Sequence, residues 1–454
     1  MKVLLASAEL SPLVKVGGLA DAVAGLRSAL LESGVDVVTT LPHYSDWDLA
    51  DATSVALDVP DWAAPATATS GHLPDGSPLT LISVPGIARP HPYIDDHGDG
   101  WPDNDRRFLA YSAAIAALAR RVGPDVVHLN DWHTGAALGF GMEAPSIFTI
   151  HNLAYQGRTD GSWLDVIPTR PEAYEWYGDC NPLSGAVALA DRVVTVSPRY
   201  ATEIVTPEFG EGLHEALAAR GVIGITNGLD TSVWDPSDDT ALPAPFSADD
   251  TTGRRASRRA VVTRAGWSGT VPVAAMVTRL TDQKGVDLAL DAVPYLPGVG
   301  VRLVLLGSGD RRLAERARES AAAFPAWFSF WEGYDEAVSH QLFAGSDLLL
   351  MTSRFEPCGL NQLQAMRYGS IPVATPVGGL VDTIVDADAD PDAGTGFLTV
   401  DVSVAGVVDA LHRAARALRS PKRRGAIQHR GMTTDWSWAG PAARYRELYE
   451  ELTR

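Results

Sequence analysis

A chain of 454 residues is too long for one ordinary hydrophobic core and predicts two or three domains. Its 46% hydrophobic and 20% charged content is that of a globular protein, and a formal net charge of −19 speaks against nucleic acid or an anionic membrane as partner, since both demand clustered cations. Two cysteines, Cys180 and Cys358, are too few for a disulfide framework and suit a reducing, cytoplasmic setting; no apolar run approaches the roughly 18 residues of a membrane span or the core of a signal peptide.

In chain order, short β-branched runs alternate with helical patterns, which predicts βα units around parallel sheets. Strands are expected at Val3–Ala6, Val35–Thr39, Leu79–Val84, Val126–Leu129, Ser146–Thr149 and Arg192–Val196. Helices are expected between them, for example over Ala20–Leu31 and Asp105–Arg121. In the second of these, Phe108, Tyr111, Ile115 and Leu118 recur at three- and four-residue intervals. A stretch from about Asp235 to Asp250, rich in Pro, Asp, Ser and Ala, reads as a surface connection and a boundary. Arg254, Arg255, Arg258 and Arg259 follow it at helical spacing and read as a solvated helix face. The alternation then restarts, with strands expected at Val271–Val277, Val301–Leu306, Phe328–Trp331, Leu348–Met351 and Ile371–Ala374. Two doubly wound sheets place their ligand-binding loops at the carboxyl ends of their strands, so a cleft between them is the expected site. A last helical pattern, Pro441–Thr453, follows Trp436 and Trp438, and the pattern alone does not say which domain holds it.

The polar residues at the predicted strand ends carry the chemistry. After the first strand, Lys15-Val16-Gly17-Gly18 combines a charge, two adjacent glycines and a helix start. That is either a diphosphate site or a tight turn with a surface lysine. Neither the dinucleotide fingerprint nor a P-loop is present, which speaks against NAD and ATP-cleaving readings. Asp131 and His133 follow one predicted strand, and His151 and Asn152 follow the next. No compact set of His, Cys and carboxylates has ligand spacing, so no metal or other cofactor is expected. In the second half, Arg279 and Lys284 form a cationic pair at a strand end, and Gly307 sits in a Gly-rich one. The run Ser353-Arg354-Phe355-Glu356-Pro357-Cys358-Gly359-Leu360-Asn361 joins a strand to a helix. Its Glu356 could accept from sugar hydroxyls or serve as a helix-dipole carboxylate, and the amides near Gly359 to Asn361 could hold a diphosphate.

Taken together, Lys15-Val16-Gly17-Gly18-Leu19-Ala20-Asp21, Asp131-Trp132-His133, His151-Asn152-Leu153-Ala154-Tyr155-Gln156-Gly157, Asn227-Gly228-Leu229-Asp230, Arg279-Leu280-Thr281-Asp282-Gln283-Lys284-Gly285 and Ser353-Arg354-Phe355-Glu356-Pro357-Cys358-Gly359-Leu360 resemble the bacterial glycogen synthases and plant starch synthases. They stand in that family's order and span the chain to about residue 450. The resemblance implies a GT-B fold, two Rossmann-like doubly wound domains facing a central cleft. Residues 1–235 with a returning helix at about 436–454 would form the acceptor-side domain, and residues 236–435 the nucleotide-sugar domain. It implies transfer of glucose, with retention, from ADP-glucose to the non-reducing 4-hydroxyl of an α-1,4-glucan such as glycogen or a maltooligosaccharide. His151, Asp131, Glu356, Arg279 and Lys284 would be the catalytic set. Lys15, Gly17, Gly18, Asn152, Asn227, Gly307, Tyr334, Cys358, Gly359, Leu360 and Asn361 would bind the donor, Tyr334 by stacking on the adenine. Trp101, Tyr93 and His133 would face the acceptor, either Tyr93 or Trp101 standing for the tyrosine the family often carries there.

The chain departs from the family at Ser184, where a basic residue is usual, and at Asn361, where Thr or Ile is expected. Alternatives are another retaining GT-B transferase, such as a maltose-1-phosphate synthase or a UDP-sugar-dependent enzyme, or a non-catalytic glucan-binding homologue. The last would be expected to have lost Lys15, His151, Arg279, Lys284 or Glu356, and all five are present.

Overall fold

A computed structural model describes all 454 residues. The chain forms two compact units, one of Met1–Gly228 together with Trp438–Arg454, the other of Leu229–Ser437. No helix is long and apolar enough to cross a membrane.

The first unit is built on β1 (Lys2–Ala6), β2 (Asp36–Pro42), β3 (Ala50–Leu57), β4 (Ala66–His72), β5 (Pro78–Ser83), β6 (Val126–Asn130) and β7 (Ser146–Ile150). A small separate hairpin, β8 (Glu175–Trp176) and β9 (Asp179–Cys180), precedes β10 (Arg192–Thr195) and β11 (Val222–Gly224). The nine sheet strands lie in the order β11-β10-β7-β6-β1-β2-β5-β4-β3. All pairings are parallel except those of β4 with β3 and β5. The central strand is apolar on both faces because both are covered. Val3 and Leu5 join the core cluster of α1 (Gly18–Glu32), while Leu4 and Ala6 join that of α2 (Asn104–Val122).

The helix Ala439–Leu452 belongs to this unit and packs in the α1 cluster. The buried Trp438 at its N-cap and its own buried Ala442, Tyr445, Leu448 and Tyr449 lie at three- and four-residue steps, one stripe of a helix. Tyr449 also bonds His128 Nδ1 at 2.7 Å, and Thr149 meets its Nε2 at 2.7 Å, which ties the helix to β6 and β7.

The hairpin β3–β4 is absent from the sequence reading. Its residues are small and hydroxylated, and only Leu57 of the edge strand β3 and Ala66 and Ala68 of β4 are buried against the core, too few and too small to mark an apolar strand. Cross-strand hydroxyl pairs such as Ser54–Thr69 (2.8 Å) accompany its ladder instead.

The second unit has six parallel strands: β12 (Val273–Val277), β13 (Arg302–Gly307), β14 (Phe328–Glu332), β15 (Leu348–Met351), β16 (Ile371–Ala374) and β17 (Phe397–Leu398), in the order β14-β13-β12-β15-β16-β17. Ala274 and Met276 face one core cluster, and Val273, Ala275 and Val277 the other.

Two expectations need correction here. The 235–250 stretch is not a surface connection. Trp234, Leu242 and Phe246 are buried in the core of the second unit. Asp239 bonds both His340 Nδ1 and the Tyr368 hydroxyl at 2.6 Å, with Trp234 stacked on the His340 ring. A few large anchors outweigh a linker-like composition. Nor is the arginine run a wholly solvated face. Arg254 reaches the Ser346 carbonyl and Arg258 pairs with Asp347, whereas Arg255 and Arg259 are exposed. One helix carries both faces because the run covers more than one turn.

Candidate functional site

In an open α/β sheet, ligand sites form at the carboxyl ends of strands where the strand order reverses. In the first unit the reversal falls at β1, flanked by β2 and β6; in the second it falls at β12, flanked by β13 and β15. The loops leaving β1 and β6, with that leaving adjacent β7, carry Lys15, Asp131 and His151. The loops leaving β12 and β15 carry Arg279, Lys284 and Glu356. Topology and motifs thus select the same places independently.

The loop after β1 turns back through a pair of backbone hydrogen bonds between Leu10 and Val14 (3.1 and 3.0 Å) and delivers Lys15 to the start of α1. Lys15 pairs with Asp21 at 3.1 Å, both about a quarter exposed. Gly17 caps α1 with an extended backbone (φ −151°), and a Cβ there would meet nothing within 4 Å. Nothing within the unit demands glycine at that point, so its value lies in open space beside the backbone. The amides of Val16 and Gly17 are not open to an outside anion, because both donate to Glu9 Oε2 (2.8 and 3.0 Å). The other Glu9 oxygen accepts the Tyr93 hydroxyl at 2.8 Å. Between the two candidates for the family's tyrosine, Tyr93 is therefore the one joined to the Lys15 loop. Trp101 bonds the His91 carbonyl at 2.9 Å and lies beneath Arg89.

Asp131 and His151 are brought together. Asp131 Oδ1 accepts the His151 amide at 2.7 Å, and the Asn152 amide also donates to this carboxylate. Asp131 has φ 55° and ψ 176°, a region that costs a non-glycine residue about 1–3 kcal/mol. Strain of this kind collects where surrounding contacts over-determine a functional geometry. Burial raises the Asp131 pKa to about 7 against the opposing pull of the two amides. The His151 ring donates through Nε2 to Asn130 Oδ1 (2.8 Å), whose own amide group is fixed by the Ala6 carbonyl (2.9 Å). That chain of bonds makes Nε2 the protonated nitrogen and leaves Nδ1 as an acceptor. Burial lowers the His151 pKa to about 3, so the ring is neutral.

In the second unit the two motif loops are fastened into one surface. Gly285, at φ 57°, allows the β12 loop to touch the β15 loop, since a Cβ there would lie 2.0 Å from the Thr352 carbonyl oxygen. Arg354 bonds the Asp282 carbonyl at 2.8 Å and both Asp287 oxygens at 2.8 and 2.6 Å. On this platform Lys284 Nζ donates to both oxygens of Glu356 (2.8 and 2.6 Å), and Ser353 Oγ donates to one of them at 2.9 Å. Glu356 is buried, while Lys284 keeps about a fifth of its side chain exposed. An ammonium has three donors, so one remains for an incoming anion. Arg279, at the end of β12, is exposed.

The remaining predicted residues fall into several settings. Gly359 turns the chain at φ 73° towards the helix Asn361–Arg367, with Leu360 at its cap and Cys358 buried beneath. The Asn361 side chain bonds the Val277 carbonyl, so this departure from the family works as a tether between helix and β12. Gly307 ends β13 and accepts the Gly333 amide at 3.0 Å. Tyr334 is 60% exposed. Asn227 is buried in the segment after β11. His133 is packed between Trp132 and Tyr93 with its Nδ1 buried and without a hydrogen bond, which is a packing position in the aromatic core. Ser184 lies in the first turn of the helix Pro182–Leu189, its amide capped by Asn181. Sequence reasoning missed Glu9, Asn130 and Ser353. Each is a polar residue at or just beyond a strand end of a motif already singled out, which is the signal that could have found them. No group of three or more His, Cys, Asp or Glu side chains is placed to hold a metal ion.

Comparison with known proteins places this geometry. Residues 2–219 match the starch synthase catalytic domain family, and residues 259–429 match the group 1 glycosyl transferases. The chain is 42% identical to a glycogen synthase of Halorhodospira halophila, covering 100% of this chain and 99% of that protein. It is 39% identical to glycogen synthase 1 of Rhizobium meliloti over 100% and 99% of the two chains. Among solved structures, the catalytic domain of starch synthase IV from Arabidopsis thaliana, bound to ADP and acarbose, superposes with a TM-score of 0.88 at 33% identity, covering 100% of this chain and 99% of the other. A sucrose-phosphate synthase from Thermosynechococcus elongatus shares the fold at a TM-score of 0.65 and 19% identity, over 99% and 98% of the chains. With its two doubly wound units of the GT-B type and its motif loops at both switch points, the chain belongs to the glycogen and starch synthase family of glycosyltransferases.

Proposed function

We propose that this glycosyltransferase lengthens an α-1,4-glucan by transferring glucose, with retention, from ADP-glucose to the 4-hydroxyl at the non-reducing end. The observation that carries the reading is the second unit's loop pair, where Lys284 is held on Glu356 with one donor to spare and Arg279 stands exposed at the end of β12. Breaking the glucosyl–phosphate bond builds negative charge on the departing diphosphate and positive charge on the sugar. Fixed cations aimed at the former supply the kind of electrostatic stabilisation that dominates such steps. In a chain of net charge −19, Arg279 and Lys284 are the cationic donors these loops offer to a diphosphate.

Within the same reading, Lys15 adds charge from the first unit, Asp131 and His151 border the transferred glucose, Glu356 fixes its hydroxyls and Tyr334 stacks on the adenine. Asp131 is bound by two backbone amides and Glu356 by an ammonium, so neither carboxylate is arranged as the free nucleophile of a double displacement. Front-face attack by the acceptor hydroxyl, with the leaving phosphate taking its proton, fits both. The reading assigns no step to a metal or other cofactor. Two buried cysteines that form no disulfide suit the cytoplasm as its setting.

Donor choice tests the reading. With glycogen as acceptor, kcat/KM for ADP-glucose is expected to exceed that for UDP-glucose by about tenfold or more. A preference for UDP-glucose, or transfer only to glucose-1-phosphate, would overturn it.

A further inference from the structure

Glu9 has no part in the transfer chemistry as described, yet its carboxylate lies at the centre of the first unit's site. It is 4% exposed. One oxygen takes the amides of Val16 and Gly17 at 2.8 and 3.0 Å, and the other takes the Tyr93 hydroxyl at 2.8 Å. The start of α1 is where a helix best accommodates an anion, and here the chain supplies that anion itself. Glu9 is in turn held firmly. Its amide donates to Ser7 Oγ at 3.2 Å, the same hydroxyl donates back to its carbonyl at 2.8 Å, and the Tyr111 hydroxyl anchors the Ser7 carbonyl at 2.9 Å. Tyr93 arrives from a separate loop, Pro90–Asp103, whose path is set by bonds from the Trp101 amide (3.2 Å) and Asn104 Nδ2 (2.8 Å) to the Tyr93 carbonyl. Burial and the neighbouring Glu9 charge both raise the Tyr93 pKa, so its hydroxyl stays a donor at working pH.

We propose that Glu9 is a positioning residue for transfer: it sets the backbone of Lys15–Gly17 and, through Tyr93, couples the Pro90–Asp103 loop to that donor-side loop. This rests on the functional reading above and refines it. The Val16 and Gly17 amides are spent on Glu9, so in the first unit's loop the Lys15 side chain, not those amides, meets the donor's charge. A change at Tyr93 then reaches the donor, although Tyr93 lies on another loop.

The test is steady-state kinetics on the full chain with ADP-glucose and glycogen, for Tyr93→Phe, Glu9→Ala, their double variant and Glu9→Gln, with Tm measured alongside. Tyr93→Phe and Glu9→Ala are each expected to raise the donor KM by about tenfold. Glu9→Gln keeps an oxygen for both amides and is expected to stay within about threefold of wild type. Because both single changes break one linkage, the double variant is expected to match the worse single. If Glu9→Ala fails to fold, Tyr93→Phe alone decides. A Tyr93→Phe variant that alters only the acceptor KM, or single effects that multiply in the double, would overturn the proposal. A wild type that transfers no glucose would overturn this proposal and the functional reading together. An active wild type with unaltered variants would overturn the Glu9 role alone.

Discussion

Replacing Lys284 by alanine is expected to lower kcat for glucosyl transfer by roughly 10²–10³-fold, the size of losing one preorganised group aimed at developing charge. The structure adds a second consequence. Glu356 is only 5% exposed at its side chain, and without the ammonium its carboxylate keeps only the Ser353 hydroxyl among these partners. Breaking a buried pair by removing one partner costs about 3–5 kcal/mol, so Tm should fall as well. The two effects separate in the double variant Lys284→Ala with Glu356→Gln. Neutralising the orphaned carboxylate is expected to restore much of the Tm and none of the kcat. Recovery of kcat along with Tm would reduce Lys284 to a structural counter-ion and remove the leaving-group argument.

Asp131→Asn is expected to cost activity roughly 10²-fold and stability about 1–3 kcal/mol. An amide group offers one acceptor oxygen where two backbone N–H groups now share a carboxylate, and the residue must still hold φ 55°. The stability loss also has a defined pH dependence. Burial places the Asp131 pKa at about 7, above the ordinary carboxyl value, so between about pH 4 and 7 the native state keeps a proton that the unfolded chain has released. This group's contribution to stability is therefore complete at low pH and declines as pH rises through 7. The penalty for Asp131→Asn should accordingly be larger at pH 5 than at pH 8 in urea unfolding. A penalty that grows with pH would mean that the charged form is the stabilised one.

What could be read from the chain beforehand follows a physical division. β1, β6, β7, β12 and β15 are buried on both faces, and their apolar runs need no partner to be recognised. In the hairpin β3–β4 most of β3 is exposed and the core-facing positions of β4 are the alanines Ala66 and Ala68, so small and hydroxylated residues leave no apolar run to recognise. The stretch after Trp234 has a linker's composition, and only the packing of Trp234, Phe246 and Asp239 shows that it belongs to a core.

At the site, the loops were legible because charge and glycine collect at strand ends, whereas their internal wiring was not. Lys284 and Glu356 are 72 residues apart, and nothing in either motif says that one holds the other. The role of Glu9 carries no signal in the sequence because it depends on the Leu10–Val14 turn folding the chain back onto it. Asn361 stands where the family carries Thr or Ile, and nothing in the motif says that its amide holds the Val277 carbonyl.

The most direct test of glucan elongation with retention is the structure of the product. The full chain, given ADP-glucose carrying ¹³C at the glucose C1 and a short maltooligosaccharide, should yield an acceptor one unit longer. The labelled carbon should appear by NMR as an α-1,4-linked residue at the non-reducing end. Label appearing in a β-linkage, at another hydroxyl, or only as free glucose would contradict the account.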